Sequence, residues 1–245
     1  MSATGFDPSP LDPTVSLQRT STPDERAPTR DAKVPPAVRA QLLATEHWSL
    51  LATRSTLWSE VMSRITIHLT VSSAALVVLA LTAQATGFGP IFRVLSIGLA
   101  SAILVLGTLT GLRVHMASGE DALLITGMNR LRAAYREIDP GIEPYLVASW
   151  HDDSAGLKAT YTMGIRRSTF LHSVGSTAMF TNAVNTIVAG TLGALVADAA
   201  GASTVVVAML GALAGLVYLA AMVEAGRRRF ACTPGGPPRF PSPGG

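Results

Sequence analysis

ITIHLTVSSAALVVLALTAQAT, residues 65–86, leads through GFGP, residues 87–90, into IFRVLSIGLASAILVLGTLTGL, residues 91–112. A hydrocarbon core about 30 Å thick takes roughly 20 apolar residues of α-helix, so each run is long enough to cross it. Arg93 is the one charge in either run and it lies beside the turn. A Gly-Phe-Gly-Pro turn is too short to do anything but reverse the chain, so the two runs form an antiparallel hairpin. Two more apolar runs, Phe170–Ala197 and Thr204–Val223, form a second hairpin. The fold class expected is therefore all-α, a polytopic membrane protein with four transmembrane helices.

Composition agrees with that class. Of 245 residues, 48% are hydrophobic and 14% charged, too apolar and charge-poor for an ordinary soluble domain. Outside the spans, residues 1–36 carry repeated Pro and no apolar periodicity, which predicts a disordered tail. Asp7, Pro8, Pro10, Asp12 and Pro13 stand where a secretory signal would place its basic and apolar regions. Residues 37–64 contain neither Pro nor Gly, repeat apolar residues at helical spacing, and predict an amphipathic helix feeding the 65–112 hairpin. Trp48 and Trp58 are expected at the lipid headgroup level.

Beyond Leu112, the series Leu124, Met128, Leu131, Tyr135, Ile138 steps by 4, 3, 4 and 3. That is a helix-packing seam, ending at Asp139-Pro140-Gly141. Residues 113–169 are thus expected as a helical stalk plus an irregular loop, with Gly119 a candidate hinge. Residues 170–223 form the second hairpin and 224–245 a basic juxtamembrane segment with a disordered tail.

Basic residues fix the expected orientation. Seven precede the first span, seven lie between the second and third, and four follow the last, leaving only Arg93 near the opposite side. Such asymmetry places both termini and the stalk in the cytoplasm of a multi-pass plasma-membrane protein. Arg227, Arg228 and Arg229 abut the membrane as a headgroup anchor, where each gains about 1 kcal/mol from anionic lipid. This topology accounts for the net charge of +3 without nucleic acid.

Candidate sites are sparse. Gly107/Gly111 and Gly211/Gly215 are GxxxG pairs, a spacing that lets helix backbones approach, here between the second and fourth spans or between copies in a homo-oligomer. Ser176, Asn182 and Thr186 define a polar face on the third span, suited to interhelical hydrogen bonds or to a water path. His68, His172 and Glu224 all fall near the cytoplasmic ends of spans and form a candidate interfacial cluster. His151-Asp152-Asp153 has metal-ligand residue types, but adjacent residues rarely converge on one ion, so it reads as loop polarity. No catalytic motif, cofactor fingerprint or metal-ligand spacing is present. Shifting the chain by 104 residues lays His68 on His172 and Gly107/Gly111 on Gly211/Gly215, which raises a duplication of the hairpin.

Leu51-Ala52-Thr53-Arg54-Ser55, Met128-Asn129-Arg130-Leu131-Arg132 and Glu143-Pro144-Tyr145 resemble uncharacterised actinobacterial multi-span membrane proteins. In outline, residues 37–138 resemble the SLATT class, in which a cytoplasmic helix, two spans and a trailing helix build a membrane effector. The resemblance implies a bacterial membrane setting and no known activity. The expected partners are the lipid bilayer, further copies of the chain and an unidentified protein. The expected role is a non-catalytic oligomeric scaffold or regulator, with a stalk-gated pore second and a lipid-modifying enzyme third.

Overall fold

The computed structural model describes residues 34–163, 176–231 and 236–243. Among them there are helices and no strands. Helix α1 spans Pro36–Thr86 and α2 spans Pro90–Ile138. A 3-10 turn covers Pro140–Tyr145, α3 covers Ser154–Thr162, α4 Thr177–Ala199 and α5 Thr204–Ala231.

The helix ends follow from local chemistry. Pro36 and Pro90 open α1 and α2 at the first helical position, where a missing N–H costs nothing. Gly87 leaves α1 at φ +67, a left-handed conformation that only glycine adopts freely, and Gly201 turns α4 into α5 at φ +78. Ser176 caps α4, its Oγ accepting from Met179 N at 3.2 Å, and Asp153 caps α3 through Gly156 N at 2.7 Å.

Helices α1, α2, α4 and α5 are each long and apolar enough to cross a membrane. Only 17–22% of their apolar windows is buried inside the protein, so the rest faces outward as lipid-exposed surface would. The described chain is therefore all-helical with four candidate spans, in two antiparallel hairpins. At 1.5 Å per residue, the 51 residues of α1 and the 49 of α2 exceed about 70 Å, more than twice a hydrocarbon core. Both helices continue past their spans as a two-helix arm. Helix α2 runs through Gly119, the candidate hinge, without a break.

Helix α2 is the central element, packed against α1, α3, α4 and α5. Leu57, Val61, Ile65, Val114 and Ala117 form a core where the arm meets the bundle. Ion pairs stitch the arm along its length: Arg113 to Glu60 at 3.0 Å, Arg54 to Asp121 at 2.6 Å and Arg39 to Glu137 at 2.7 Å. At the opposite end of the bundle Arg93 approaches Asp198 at 3.4 Å. A 104-residue shift would set the Gly87–Gly89 turn on residues 191–193, inside α4, so the two hairpins do not superpose turn on turn.

Candidate functional site

The bundle encloses a polar cluster contributed by α1 and α4. His68 is 1% exposed, Asn182 2% and Asn185 fully buried. Their room comes from α2. A Cβ at Gly107 would collide with the Asn185 amide and come within 2.7 Å of His68 Cε1, and one at Gly111 would meet Met222 Cε at 3.2 Å. The His68 ring and the Asn185 amide both border the notch at Gly107. Neither ring nitrogen of His68, neither amide atom of Asn185, nor Oδ1 of Asn182 has a hydrogen-bond partner among the described residues. A buried polar atom left without a partner costs about 1–3 kcal/mol, so polar atoms in such a place favour a polar occupant. An imidazole and two amides offer both donors and acceptors to a small polar species or a proton.

A second polar centre lies in the arm. The Asp121 carboxylate, 1% exposed, accepts from Arg54 Nε at 2.6 Å, Trp58 Nε1 at 2.9 Å and Tyr161 Oη at 2.7 Å. Burial first, then the bond to Asp121, pushes the Tyr161 phenol up, so it stays protonated as a donor. Further along α2, Asn129 is fully buried. Its Nδ2 donates to His151 O at 2.8 Å, and its Oδ1 accepts from Arg132 at 2.7 Å and Thr160 at 3.0 Å. Segment 139–162 is thereby pinned onto α2. His47 and Tyr135 stack at 5.9 Å between the two long helices, and burial, then Arg132, lowers the His47 ring's proton affinity.

A third contact joins chain segments 87–89 residues apart. Asp152, its side chain without solvent exposure, accepts from Arg130 Nε at 2.6 Å and from the backbone N–H groups of Arg239 at 3.0 Å and Phe240 at 2.7 Å. Asp153 accepts from Ser242 N at 2.6 Å and Ser242 Oγ at 2.9 Å. Asp152 N donates to Phe240 O at 3.2 Å. Burial would raise both carboxyls, but these donors outweigh it and hold them below the usual carboxylate range. Residues 236–243, expected from sequence as part of a disordered tail, are instead a non-helical segment, bent at Arg239 and Phe240, seated on the loop before α3. The loop supplies acceptors for its backbone donors.

The remaining sequence candidates fall as follows. Gly211 and Gly215 pack on α4, not on α2: a Cβ at Gly211 would stand 2.9 Å from Gly190 O, and one at Gly215 3.1 Å from Thr186 O. Gly107 and Gly111 face the polar cluster. Ser176 is the cap of α4 instead of a position inside the span, because that helix begins at Thr177. The buried face of α4 is Thr181, Asn182, Asn185 and Ala189, while Thr186 is half-buried and bonds its own helix at Asn182 O. Glu224 is exposed and paired with Arg228 at 2.7 Å, away from the buried His68, and His172 lies outside the described residues. Arg227 and Arg228 are exposed, and the side chain of Arg229 lies outside the described residues. Trp58 donates to Asp121 at 2.9 Å, whereas Trp48 is 71% exposed.

Neither Asp121 nor Asn129 stands out in the sequence. A signal exists for Asp121: continuing the seam backward from Leu124 by 3, 4 and 3 reaches Asp121, Ala117 and Val114, all buried. Among the described residues no group of three or more His, Cys, Asp or Glu is placed to hold a metal ion. Compared with known proteins, the chain matches no family model, and neither a curated protein nor a solved structure is significantly similar to it.

Proposed function

We propose that this chain is a non-catalytic regulator or scaffold of the bacterial plasma membrane, working as an oligomer, with its two-helix arm and both termini in the cytoplasm. The observation that carries the reading is the unbroken course of α2 from Pro90 to Ile138, locked to α1 by Arg54–Asp121 and Glu60–Arg113. A continuous helix transmits a displacement of the arm to the span beneath it, where a hinge would absorb it. The arm also exposes Val38, Leu42 and Trp48, apolar side chains on a charged helix, as a partner-facing surface would. Eighteen of 19 basic residues support the cytoplasmic placement.

A photo-crosslinking residue at Trp48, in cells, tests the reading. A discrete adduct, either a second copy or another membrane protein, is expected, and its yield should fall in Asp121→Ala. Monomer alone at every arm position would overturn the scaffold. A second reading, a pore gated by the arm, is favoured by the orphaned polar atoms of His68, Asn182 and Asn185 inside the bundle. Ion flux through purified protein in liposomes, altered by Asn182→Asp, would put the pore first.

A further inference from the structure

We propose that the groove between the end of α2 and the loop before α3 is a peptide-recognition site, and that residues 237–243 occupy it in cis as a releasable latch.

The latch sequence is Pro237-Pro238-Arg239-Phe240-Pro241-Ser242-Pro243. Proline has no N–H, so this stretch owns three backbone donors, at Arg239, Phe240 and Ser242. All three donate to Asp152 or Asp153. The pattern of prolines and the pair of carboxylates match donor for acceptor, and the Ser242 hydroxyl adds a fourth bond at 2.9 Å. In return Phe240 O accepts from Asp152 N and lies 3.3 Å from His151 Nδ1. With the segment seated, Phe240 borders a cavity of about 340 Å³ together with Ala133, Arg136, Glu137, Pro140 and Trp150, and the Arg136 guanidinium lies 4.1 Å over the Trp150 ring. A proline-rich segment seated beside an aromatic side chain, here Trp150, is a recurring recognition mode. The prolines limit the free chain to few conformations, so seating it loses little entropy.

The acceptors are positioned by contacts outside the segment. Asp152 is oriented by Arg130, Asp153 by the first turn of α3, and the loop itself by Asn129. The segment makes no comparable contribution to the core: one ring and a short ladder hold it, and Arg239, Pro241 and Pro243 remain exposed. Charge at Ser242 controls the contact, because an anion there would face the Asp153 carboxylate, which has no ion-pair partner among the described residues. The ligand class is a proline-rich peptide carrying an aromatic residue and N–H groups in this spacing. Here it is the chain's own C-terminal segment. This inference does not depend on whether the bundle is a scaffold or a pore.

The test uses the full-length chain in lipid nanodiscs and a fluorescent synthetic peptide of residues 236–243. The chain's own segment competes for the groove, so the peptide should bind the unaltered chain weakly and the Ser242→Glu chain at least about ten-fold more tightly. Asp152→Asn with Asp153→Asn, added to Ser242→Glu, should abolish that binding. Hydrogen exchange on the same samples should show Arg239, Phe240 and Ser242 amides protected in the unaltered chain and exposed in Ser242→Glu, with amides of α1 and α2 unchanged as the control for folding. Equal binding to both chains, binding to neither, or segment amides that exchange as fast as in the free peptide would overturn the latch.

Discussion

Asp121 and Asn185 are both buried polar residues, and they should answer substitution in opposite ways. Asp121 holds three donors from Arg54, Trp58 and Tyr161, so Asp121→Ala strands one charge and two neutral donors. Breaking a buried pair on one side costs about 3–5 kcal/mol, and the partial solvent access of Arg54 points to the lower end. Asn185 has no partner to lose among the described residues. Asn185→Leu, close in shape and apolar, should leave thermal stability in detergent unchanged or raise it by about 1 kcal/mol, since it removes orphaned amide atoms. A clear fall in melting temperature for Asn185→Leu would mean that its amide is satisfied in the folded protein. The third span is visibly polar in sequence, but residue identity alone does not say which Asn turns inward. The faces of α4 are set by glycines on the neighbouring helices: Gly107 on α2, and Gly211 and Gly215 on α5.

At the scale of elements, the glycines separate by what lies over them. At Gly211 a side chain would meet the backbone of Gly190 and the Ala194 Cβ at 3.0 Å, so Gly211→Val must push α4 and α5 apart. Overpacking of that kind costs about 1–3 kcal/mol or more where backbone is the obstacle. Gly98, on α2, has nothing within 4 Å of a Cβ, and Gly98→Ala should be neutral or stabilise by up to about 1 kcal/mol through helix propensity. Melting temperatures of the two variants in one detergent check the contrast. Hydropathy and the 3.6-residue period suffice to read the spans and the long α1 from the amino-acid sequence. Of the seam read on α2, Met128 is buried, while Leu124, Leu131, Tyr135 and Ile138 are half-buried. Legibility ends at Asp121, because a carboxylate next to Glu120 looks like a solvated surface until Arg54, Trp58 and Tyr161 are known to converge on it. Those three lie 67, 63 and 40 residues away along the chain, and such convergence leaves no local trace.

For the whole molecule, the latch connects the end of α5 to the loop carried by α2, and it gives that connection a pH dependence. Asp152 and Asp153 are both held below the usual carboxylate range in the folded protein, so the folded state binds fewer protons there than it would with the segment released. Stability from a depressed carboxyl is fully present above its unfolded value of about 4 and disappears as pH falls through the lower folded value. Arg130 beside Asp152 and His151 beside Asp153 both act on these carboxyls in the direction that favours their ionised forms. The segment should accordingly stay seated from about pH 8 to about pH 5 and leave the groove progressively below about pH 4. Cys232, the single cysteine, takes a fluorophore whose anisotropy reports the segment. Anisotropy should be flat above about pH 5 and fall on acidification below about 4, while helical circular dichroism of the spans holds. Asp152→Asn with Asp153→Asn should start low at about pH 7 and lose the acid transition. A transition centred well above about pH 5, or the same acid transition in the doubly substituted chain, would take control of the latch away from the carboxylates.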